Sequence, residues 1–511
     1  MSFPWLTVIG AAPLVGAVVV TVLPKDKTTA TKQLAFAASL VPLVLSVVMA
    51  ARYDAGGGMQ FAETHDWIST FGAHYALGVD GIGLTLVVLT TILTPIVILA
   101  SWNDAEAGRW SPKIFFAWML ALEGLAVGVF AALDVFLFYV LFEATLIPIY
   151  FLIGGFGGAQ RSYAAVKFLL YSLLGGLLML ASVVGLYVVS SDSKFGPTYL
   201  LSELSQIPID QNLGRWLFLG FFVAFAIKAP MWPVHTWLPD AASEATPGTS
   251  VLLVSVLDKI GTFGMIRFCL QLFPEASRWA SPVIMGLAVF SVLYGALLAI
   301  GQTDIRRLIA YTSVSHFGFI VLGIFGLTSQ GAAGSTLYMF NHGLSTAALF
   351  LVTGFLISRR GSKFVADYGG VEKVAPVLAG VFLVAGLSSL SLPGLSPFVS
   401  EFLVLAGTFT TSITAAVAAT FGVILAALYI LLLYQRTMTG PVRESTSGLT
   451  DLNVRERVAL APLLALILVL GFFPKPALDI ITPAVNTTLN HVGVTDPTPT
   501  IPVLAQQGSQ P

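Results

Sequence analysis

Long apolar runs alternate with short polar connections along most of this chain of 511 residues. A helix needs roughly 20 mainly apolar residues to cross the hydrocarbon core of a bilayer. About fourteen runs have this length, so the pattern predicts an all-α polytopic membrane protein. The predicted spans are 4–23, 33–51, 79–101, 114–131, 133–157, 163–190, 214–232, 248–270, 281–301, 305–326, 334–358, 375–405, 410–436 and 456–474.

Prolines interrupt two of these spans. The seventh contains KAPMWPVHTWLPD, with Pro230, Pro233 and Pro239. The twelfth contains LSLPGLSPF, with Pro393 and Pro397. Proline removes a backbone donor and clashes with the preceding turn of a helix, and irregular backbone at membrane depth is tolerated only inside protein or beside water. Spans 7 and 12 are therefore predicted to be discontinuous helices beside an internal hydrated path.

The two breaks lie five spans apart, and each lies near a charged residue, Lys228 or Glu401. This arrangement predicts two inverted five-helix repeats, spans 4–8 and 9–13, with opposite topology. The predicted segments are spans 1 to 3 in 1–110, the two repeats in 111–275 and 276–440, span 14 with an amphipathic segment in 441–486, and an extended polar tail in 487–511.

Composition supports the membrane class. Hydrophobic residues make up 56% of the chain and charged residues only 10%, too few charges to cover a soluble domain. The formal net charge is -1, so the chain has no basic field, and we exclude nucleic acid as a partner.

Lys and Arg residues in the connections predict the orientation, because they mark cytoplasmic loops. Most of them lie in the connections after odd-numbered spans. Both termini are therefore predicted to lie on the non-cytoplasmic side. The polar C-terminal segment and the frequent Ala, Gly and Val favour a bacterial plasma membrane over an organellar one.

Four charged residues lie inside or at the edges of the apolar spans, namely Glu143, Lys228, Lys259 and Glu401. An unpaired charge costs at least about 3 kcal/mol at the centre of a bilayer. One such residue alone is explained as well by structural pairing, or by snorkelling to the membrane surface, as by a function in transport. Four of them beside two broken helices favour proton transfer, because buried Glu and Lys can change protonation at accessible pH.

Three histidines are secondary candidates for the same path: His235, His316 and His342. Imidazole has an unperturbed pKa near neutral, so its protonation changes easily. For each of them, a satisfied hydrogen bond in the core is the structural alternative.

Three aspartates near the apolar spans are not assigned to the proton path. Asp80 and Asp134 precede apolar runs and are predicted to begin helices. Asp258 adjoins Lys259, but consecutive helical side chains point about 100° apart. Asp258 is therefore predicted to lie at the edge of its span and not to be the close partner of Lys259.

No motif indicates a redox cofactor or a metal site. The chain has one cysteine, Cys269, whereas an iron–sulfur cluster usually needs four thiolates. The sequence has no P-loop lysine motif, no strand-linked G-x-G-x-x-G and no HExxH. We therefore expect no cofactor and no metal on this chain.

Six segments resemble one known family: GVDGIGLTLVVLTT, LFEATLIPIYFLIG, FAIKAPMWPVHTWLPDAASEATPGTSVLL, RRLIAYTSVSHFGFI, FNHGLSTAALFLVTG and LSLPGLSPFVSEFLVL. They are similar to the antiporter-like membrane subunits of proton-pumping NADH:quinone oxidoreductase, respiratory complex I. The same superfamily includes subunits of sodium/proton antiporters and of membrane-bound hydrogenases. The similar segments extend from span 3 to span 13, and KAPMWPVHTWLPDA is the most specific of them.

Glu401 indicates which member of the family the chain resembles. At this position the family usually has lysine in the antiporter homologues and in two of the three antiporter-like complex I subunits, and glutamate in the middle one. The resemblance therefore implies the middle subunit. It also implies that protons reach Glu401 through hydrated groups near His316 and His342, and that Glu401 releases them on the positive side.

The resemblance implies roles for the other three charged residues as well. Glu143 and Lys228 would form an ion pair whose opening and closing gates proton uptake. Lys259 would be the central relay between this pair and the second half of the path.

The resemblance implies that FMN, iron–sulfur clusters and quinone are bound by partner subunits. The implied partners are the other membrane subunits, above all the two flanking antiporter-like subunits, and the lipid bilayer. Three alternatives stay open: a subunit of a sodium/proton antiporter, a related ferredoxin- or hydrogenase-linked proton pump, and a spacer that only joins neighbouring subunits.

Overall fold

Helices account for most of the structure, a computed structural model that describes residues 3–106 and 108–497. In this part of the chain, eleven helices are long and apolar enough to cross a membrane, and a twelfth is counted if a bent pair forms one span. The predicted all-α polytopic class is thus confirmed. The helices are α1 (Trp5–Val22), α2 (Thr28–Ala51), α3 (Gly81–Ala100), α4 (Pro112–Ala131), α5 (Val135–Ala144), α6 (Leu146–Phe156), α7 (Arg161–Ser191), α8 (Leu201–Leu204), α9 (Gln211–Lys228), α10 (Trp237–Glu244), α11 (Pro247–Leu270), α12 (Pro274–Ile300), α13 (Ile305–Phe325), α14 (Ser329–Arg360), α15 (Val371–Val374), α16 (Pro376–Ser389), α17 (Ser396–Thr411), α18 (Ile413–Met438), α19 (Val454–Phe472) and α20 (Lys475–Val492).

A two-stranded antiparallel hairpin precedes α3, and the sequence pattern does not predict it. Its strands are β1 (Gln60–Ile68) and β2 (Ala73–Val79). Most of β2 is buried, whereas β1 is largely exposed. The Leu133 N–H donates to the Ala76 carbonyl at 2.9 Å, so the hairpin is fastened to the connection between α4 and α5.

Two aspartates begin helices as predicted. The Asp80 carboxylate accepts hydrogen bonds from the backbone N–H groups of Ile82 and Gly83 at the start of α3. The Asp134 carboxylate accepts one from Leu137 at the start of α5. Both side chains satisfy N–H groups that have no partner inside the helix.

The seventh predicted span is broken where its prolines lie, because α9 ends at Lys228 and α10 begins at Trp237. The Trp237 indole N–H donates to the Ile227 carbonyl at 2.9 Å, and the Trp232 N–H donates to Ser291 Oγ at 2.9 Å. Neighbouring side chains thus satisfy backbone groups that the break releases. The discontinuity predicted for span 7 is confirmed.

The twelfth predicted span is broken in the same way, since α16 ends at Ser389 and α17 begins at Ser396. Gly394 in the break has φ 93°, in the left-handed region that favours glycine. Asn341 Nδ2 of α14 donates to the Ser396 carbonyl at 2.8 Å and holds the start of α17. The prediction for span 12 is confirmed as well.

The α11 helix contains two π turns, Leu252–Leu257 and Met265–Leu270, that the sequence does not predict. At the first, the Asp258 N–H donates to the Leu253 carbonyl, five residues earlier, at 3.0 Å. Such turns occur frequently at functional sites. They make α11 a third irregular helix beside the two broken spans.

The centre of the bundle is formed by α11, α13 and α14, whose residues are almost all buried. The outer helices α1, α2, α7, α12 and α18 expose large apolar side chains on one face. A helix that is buried all round can be apolar on every side. Exposed apolar faces of this kind are typical of surfaces that a bilayer or a partner subunit covers.

The C-terminal end departs from the predicted extended tail, because residues 487–492 lie in α20, which meets α19 at 73°. Gln271 Nε2 donates to Thr488 Oγ1 at 3.2 Å, and Arg278 donates to the Val492 carbonyl. These contacts hold a helix whose Thr and Asn residues have low helix propensity. Residues 498–511 of the predicted tail lie outside the described residues. The other segment boundaries and the inverted repeats stay predictions.

Candidate functional site

Glu143 and Lys228 lie near the ends of α5 and α9. Lys228 is buried, and its Nζ lies 5.0 Å from the ring centroid of Phe142 and 5.6 Å from that of Phe168. Aromatic faces attract a cation. Glu143 is only partly buried and interacts electrostatically with Lys228. Neither Lys228 Nζ nor Glu143 Oε1 has a hydrogen-bond partner among the described residues, so the implied ion pair stays a prediction.

Because Gly176 of α7 has no side chain, the Glu143 carboxylate can occupy the space next to it. A Cβ atom at position 176 would lie 1.7 Å from Glu143 Oε1. No side chain fits at that distance, so any residue larger than glycine would displace the carboxylate. The sequence identifies Glu143 as a candidate but gives no signal for this glycine.

Lys259 lies near the middle of α11 and is fully buried. Its Nζ donates to the Val254 carbonyl at 2.7 Å and lies 2.7 Å from His342 Nδ1. The ring centroid of Phe317 is 4.8 Å away. A neutral imidazole with its proton on Nε2 accepts at Nδ1, which matches the contact with the ammonium group. The side chain of Lys259 therefore faces α13 and α14.

A second set of contacts connects His316 to Glu401. His316 Nδ1 lies 2.7 Å from Tyr338 Oη, which donates to Glu401 Oε2 at 2.7 Å. Ser391 Oγ, in the break of span 12, donates to the same carboxylate oxygen at 2.7 Å. The rings of His316 and His342 are neighbours, with centroids 5.3 Å apart. They connect the contacts of Lys259 to the contacts of Glu401. We call the resulting row the central line; it consists of Lys259, His342, His316, Tyr338 and Glu401.

His235 lies outside the central line, at the break of span 7. Its ring is buried and packs against Tyr294 and Tyr311, with centroids 5.3 and 6.3 Å away. Neither ring nitrogen has a hydrogen-bond partner in the described part of the chain. The structure therefore does not bring this candidate into contact with the other site residues.

Asp258 is fully buried in the middle of α11, so its predicted position at the edge of the span is wrong. Its carboxylate interacts electrostatically with both Lys259 and Lys228. Neither carboxylate oxygen has a hydrogen-bond partner among the described residues. The angle between neighbouring side chains predicts that Asp258 and Lys259 point in different directions, but it does not predict where Asp258 lies along the span. Because eleven residues of α11 precede Asp258, it lies in the middle of the helix.

Sequence reasoning also missed Tyr338 and Ser391. Tyr338 precedes His342 by four residues on α14, so the two share a helix face. This spacing is a signal that the sequence contains. Ser391 lies in the irregular segment between α16 and α17, where no periodic pattern assigns a direction to its side chain.

Ion pairs gather at the end of the bundle that carries the connections after odd-numbered spans. Asp240 of α10 contacts Lys167 at 2.6 Å and Arg307 at 2.5 Å. Lys363 contacts Glu244, the last residue of α10, at 3.0 Å. Because α10 follows the break of span 7, these ion pairs lie close to the break along the chain.

Comparison with known proteins places this arrangement in a family. Residues 132–428 match the family described as NADH:quinone oxidoreductase/Mrp antiporter, TM. The matched range contains Glu143, Lys228 and the whole central line. The fold and the site therefore define an antiporter-like membrane protein.

Individual relatives narrow the class. NADH-quinone oxidoreductase subunit M of Mycobacterium tuberculosis is 52% identical, over 98% of this chain and 96% of the relative. Subunit M of Rhodobacter capsulatus is 40% identical, over 94% and 95%. A chain of respiratory complex I from Thermus thermophilus with bound NADH is similar with a TM-score of 0.87 at 32% identity, over 96% of this chain and 100% of that one. The chain belongs to the NADH-quinone oxidoreductase subunit M family, which confirms the resemblance to an antiporter-like subunit of complex I.

Proposed function

We propose that this chain is a proton-translocating membrane subunit of an NADH:quinone oxidoreductase. Protons cross the membrane through buried Glu, Lys and His side chains and water, and quinone reduction elsewhere in the complex drives them. The observation that carries the proposal is the central line, a row of titratable groups that runs through the buried helices from Lys259 to Glu401. The assignment to this complex is supported by the relatives, which are named NADH-quinone oxidoreductase subunit M.

The first part of the path uses Glu143 and Lys228. A nearby carboxylate stabilises the ammonium form of Lys228. When Glu143 moves away, Lys228 remains buried among apolar and aromatic groups and loses one of the two carboxylates that stabilise its charge. Its charged form is then unfavourable, and the proton passes on toward Lys259. The energy of this step is electrostatic.

The second part of the path uses the central line. Lys259 donates a proton to His342 Nδ1, and His342 passes one from its other nitrogen to His316. His316 and Tyr338 then transfer a proton to Glu401, since a hydroxyl both accepts and donates. Each histidine has two distinct nitrogens, which lets it receive a proton on one side and release it on the other.

We propose the following setting for the subunit. FMN, iron–sulfur clusters and quinone bind to partner subunits, and this chain holds no cofactor, metal or redox site. Two antiporter-like subunits flank it in the membrane arm. The membrane is a bacterial plasma membrane, and both termini lie on its non-cytoplasmic side. The distribution of Lys and Arg over the connections supports the orientation.

The test uses membranes in which Glu143→Gln or Lys228→Ala is introduced. NADH-driven quinone reduction and proton uptake into inverted vesicles are recorded together, and a native gel reports assembly of the complex. We expect the assembled complex to lose both activities. Wild-type rates in both variants would show that the two residues are structural and that the proposed path is wrong.

A sodium/proton antiporter subunit is the second candidate, because the matched family includes the Mrp antiporters. Glu401 opposes it, since the antiporter homologues usually have lysine at this position. Replacing sodium by choline in the vesicle assay separates the two functions. A requirement for sodium without a requirement for NADH would favour the antiporter.

A further inference from the structure

Lys228 and Lys259 lie on different helices, and no hydrogen bond within the described residues connects them. We infer that the Asp258 carboxylate carries the proton from Lys228 to Lys259. This inference rests on the proposed function, because it adds a step to the same path.

The packing of α9 against α11 directs Asp258 toward Lys228. A Cβ atom at Gly261 would lie 2.6 Å from both the Ala229 nitrogen and the Phe225 oxygen, so the two backbones are in contact there. Residues three apart in a helix share a face. Asp258 therefore lies on the face of α11 that meets the end of α9, where Lys228 is the last helical residue.

Lys259 uses another face of α11. Its Nζ is held between the Val254 carbonyl and His342 Nδ1, on the side of α14. Consecutive helical side chains point about 100° apart. The neighbours Asp258 and Lys259 therefore present a carboxylate to α9 and an amine to α14, and a proton that passes between them crosses the width of α11.

Structural pairing does not account for the Asp258 side chain. It is fully buried, and neither carboxylate oxygen accepts a hydrogen bond from the described residues. Burying an unpartnered carboxylate is strongly unfavourable. The charged groups that interact with it are the two lysines. A carboxylate that both lysines attract and no donor fixes is free to accept a proton from one and give it to the other.

The transfer consists of two proton movements. The ammonium group of Lys228 loses a proton, which forms an O–H bond on the Asp258 carboxylate. The resulting carboxylic acid then loses this proton to the neutral amine of Lys259. The lysines exchange charge states, Asp258 returns to carboxylate, and a bridging water or a rotation of the side chains covers the distance.

Glu123 of α4 provides a matched control. It is also almost fully buried, and both of its carboxylate oxygens lack a hydrogen-bond partner among the described residues. No lysine or arginine contributes to its electrostatic surroundings; the polar neighbour that does is the Thr94 hydroxyl, which donates to the Thr90 carbonyl. Replacing Glu123 by glutamine therefore tests the loss of a buried carboxylate without a change in the path.

The test compares Asp258→Asn, Asp258→Glu and Glu123→Gln in inverted vesicles that contain the complete oxidoreductase. Proton uptake and quinone reduction are measured after NADH addition, with assembly checked on a native gel. We expect Asp258→Asn to lower both rates at least about a hundredfold, the lower end of what one acid–base group contributes. Asp258→Glu keeps a carboxyl group and is expected to retain about a third of the rate or more, and Glu123→Gln all of it.

The outcomes separate this inference from the proposed function. Wild-type rates in assembled Asp258→Asn, with loss of activity in Lys228→Ala, would overturn the role of Asp258 and leave the proposed function intact. Wild-type rates in both variants would overturn both. An equal loss in Asp258→Asn and Glu123→Gln would also overturn the inference, because any buried carboxylate would then give the same result.

A measurement on the carboxyl group itself decides the case in which Asp258→Asn does not assemble. Infrared difference spectra of the wild-type complex during NADH oxidation should contain a carboxylic acid C=O band that shifts when aspartate is labelled with carbon-13. In Asp258→Glu this band should shift with labelled glutamate instead. The lack of a band that follows the residue at position 258 would overturn the inference.

Discussion

Tyr338 Oη donates a hydrogen bond to Glu401 Oε2 at 2.7 Å and also lies 2.7 Å from His316 Nδ1. One hydroxyl group therefore joins the histidine of α13 to the carboxylate of α17. The contact bridges the intact helices at the centre of the bundle and the broken span 12.

Replacing Tyr338 by phenylalanine removes this bridge and leaves the ring in place. We expect proton uptake and quinone reduction to fall about tenfold or more, because His316 and Glu401 lose their common partner. Leaving buried partners unsatisfied also destabilises by about 1–3 kcal/mol. Both rates in inverted vesicles, together with a native gel, measure the effect.

Tyr429 offers the control for this change. It is buried like Tyr338, but its hydroxyl has no hydrogen-bond partner among the described residues. Tyr429→Phe should therefore leave the rates unchanged. Equal rates in both phenylalanine variants and the wild type would contradict the role of the Tyr338 hydroxyl.

Gly176→Ala should inactivate the protein without changing any titratable group. The added Cβ would lie 1.7 Å from Glu143 Oε1, so the carboxylate must leave its present position and its distance from Lys228 must change. We expect a loss of proton uptake similar to that of Glu143→Gln. Gly286→Ala in α12 is the control, because a Cβ there meets nothing within 4 Å. Activity in Gly176→Ala equal to that in Gly286→Ala would show that the position of the Glu143 carboxylate is unimportant.

Asp451 should make stability depend on pH at the start of α16. Burial alone would raise the pKa of Asp451, but hydrogen bonds from the N–H groups of Val377, Leu452 and Leu378 lower it below its usual value. A lowered pKa contributes stability above the unfolded value, and this contribution is lost as pH falls through the folded value. Stability from this group is thus present at neutral pH and lost below about pH 4.

The variant Asp451→Asn tests this dependence. Loss of the charged cap should cost about 1 kcal/mol at pH 7. The temperature at which the purified complex dissociates should therefore fall at pH 7, and the difference from the wild type should shrink as the pH falls below about 4. A difference that stays constant over this range would mean that the carboxylate charge is not its cause.

The Arg267–Asp80 ion pair should be important for stability. Arg267 Nη2 of α11 lies 2.6 Å from Asp80 Oδ1, and both side chains are buried. Removing one partner leaves a buried charge and typically costs about 3–5 kcal/mol. We expect Arg267→Met to lower the dissociation temperature of the complex strongly. The double variant with Asp80→Asn should recover part of the loss, and a double variant as unstable as the sum of the single ones would contradict the pairing.

The sequence predicts those features that depend on residues unusual in an apolar run. Prolines locate both breaks, since they cannot continue a helix. Glu143, Lys228, Lys259 and Glu401 stand out because charge is costly in a membrane. Each of these signals is local, so it can be recognised in a single sequence.

Other features depend on tertiary contacts, and apart from the four-residue spacing between Tyr338 and His342 they leave no local signal. Tyr338 in an apolar run looks like any core aromatic residue until α13 and α17 place His316 and Glu401 beside it. The π turns in α11 have no distinctive composition, yet they lie on both sides of Lys259. Gly176 is one of many glycines in apolar helices, and only the carboxylate of Glu143 distinguishes it.

The burial of the site residues is uneven, and this has a consequence for how the protein responds to its surroundings. Glu143 is only partly buried, whereas Lys228, Lys259 and Glu401 are shielded by the bundle. Electric fields act more strongly where water is excluded. A neighbour that covers Glu143 excludes water from its carboxylate and so strengthens the effect of this charge on Lys228. Such a neighbour can change the protonation of buried groups that it never touches.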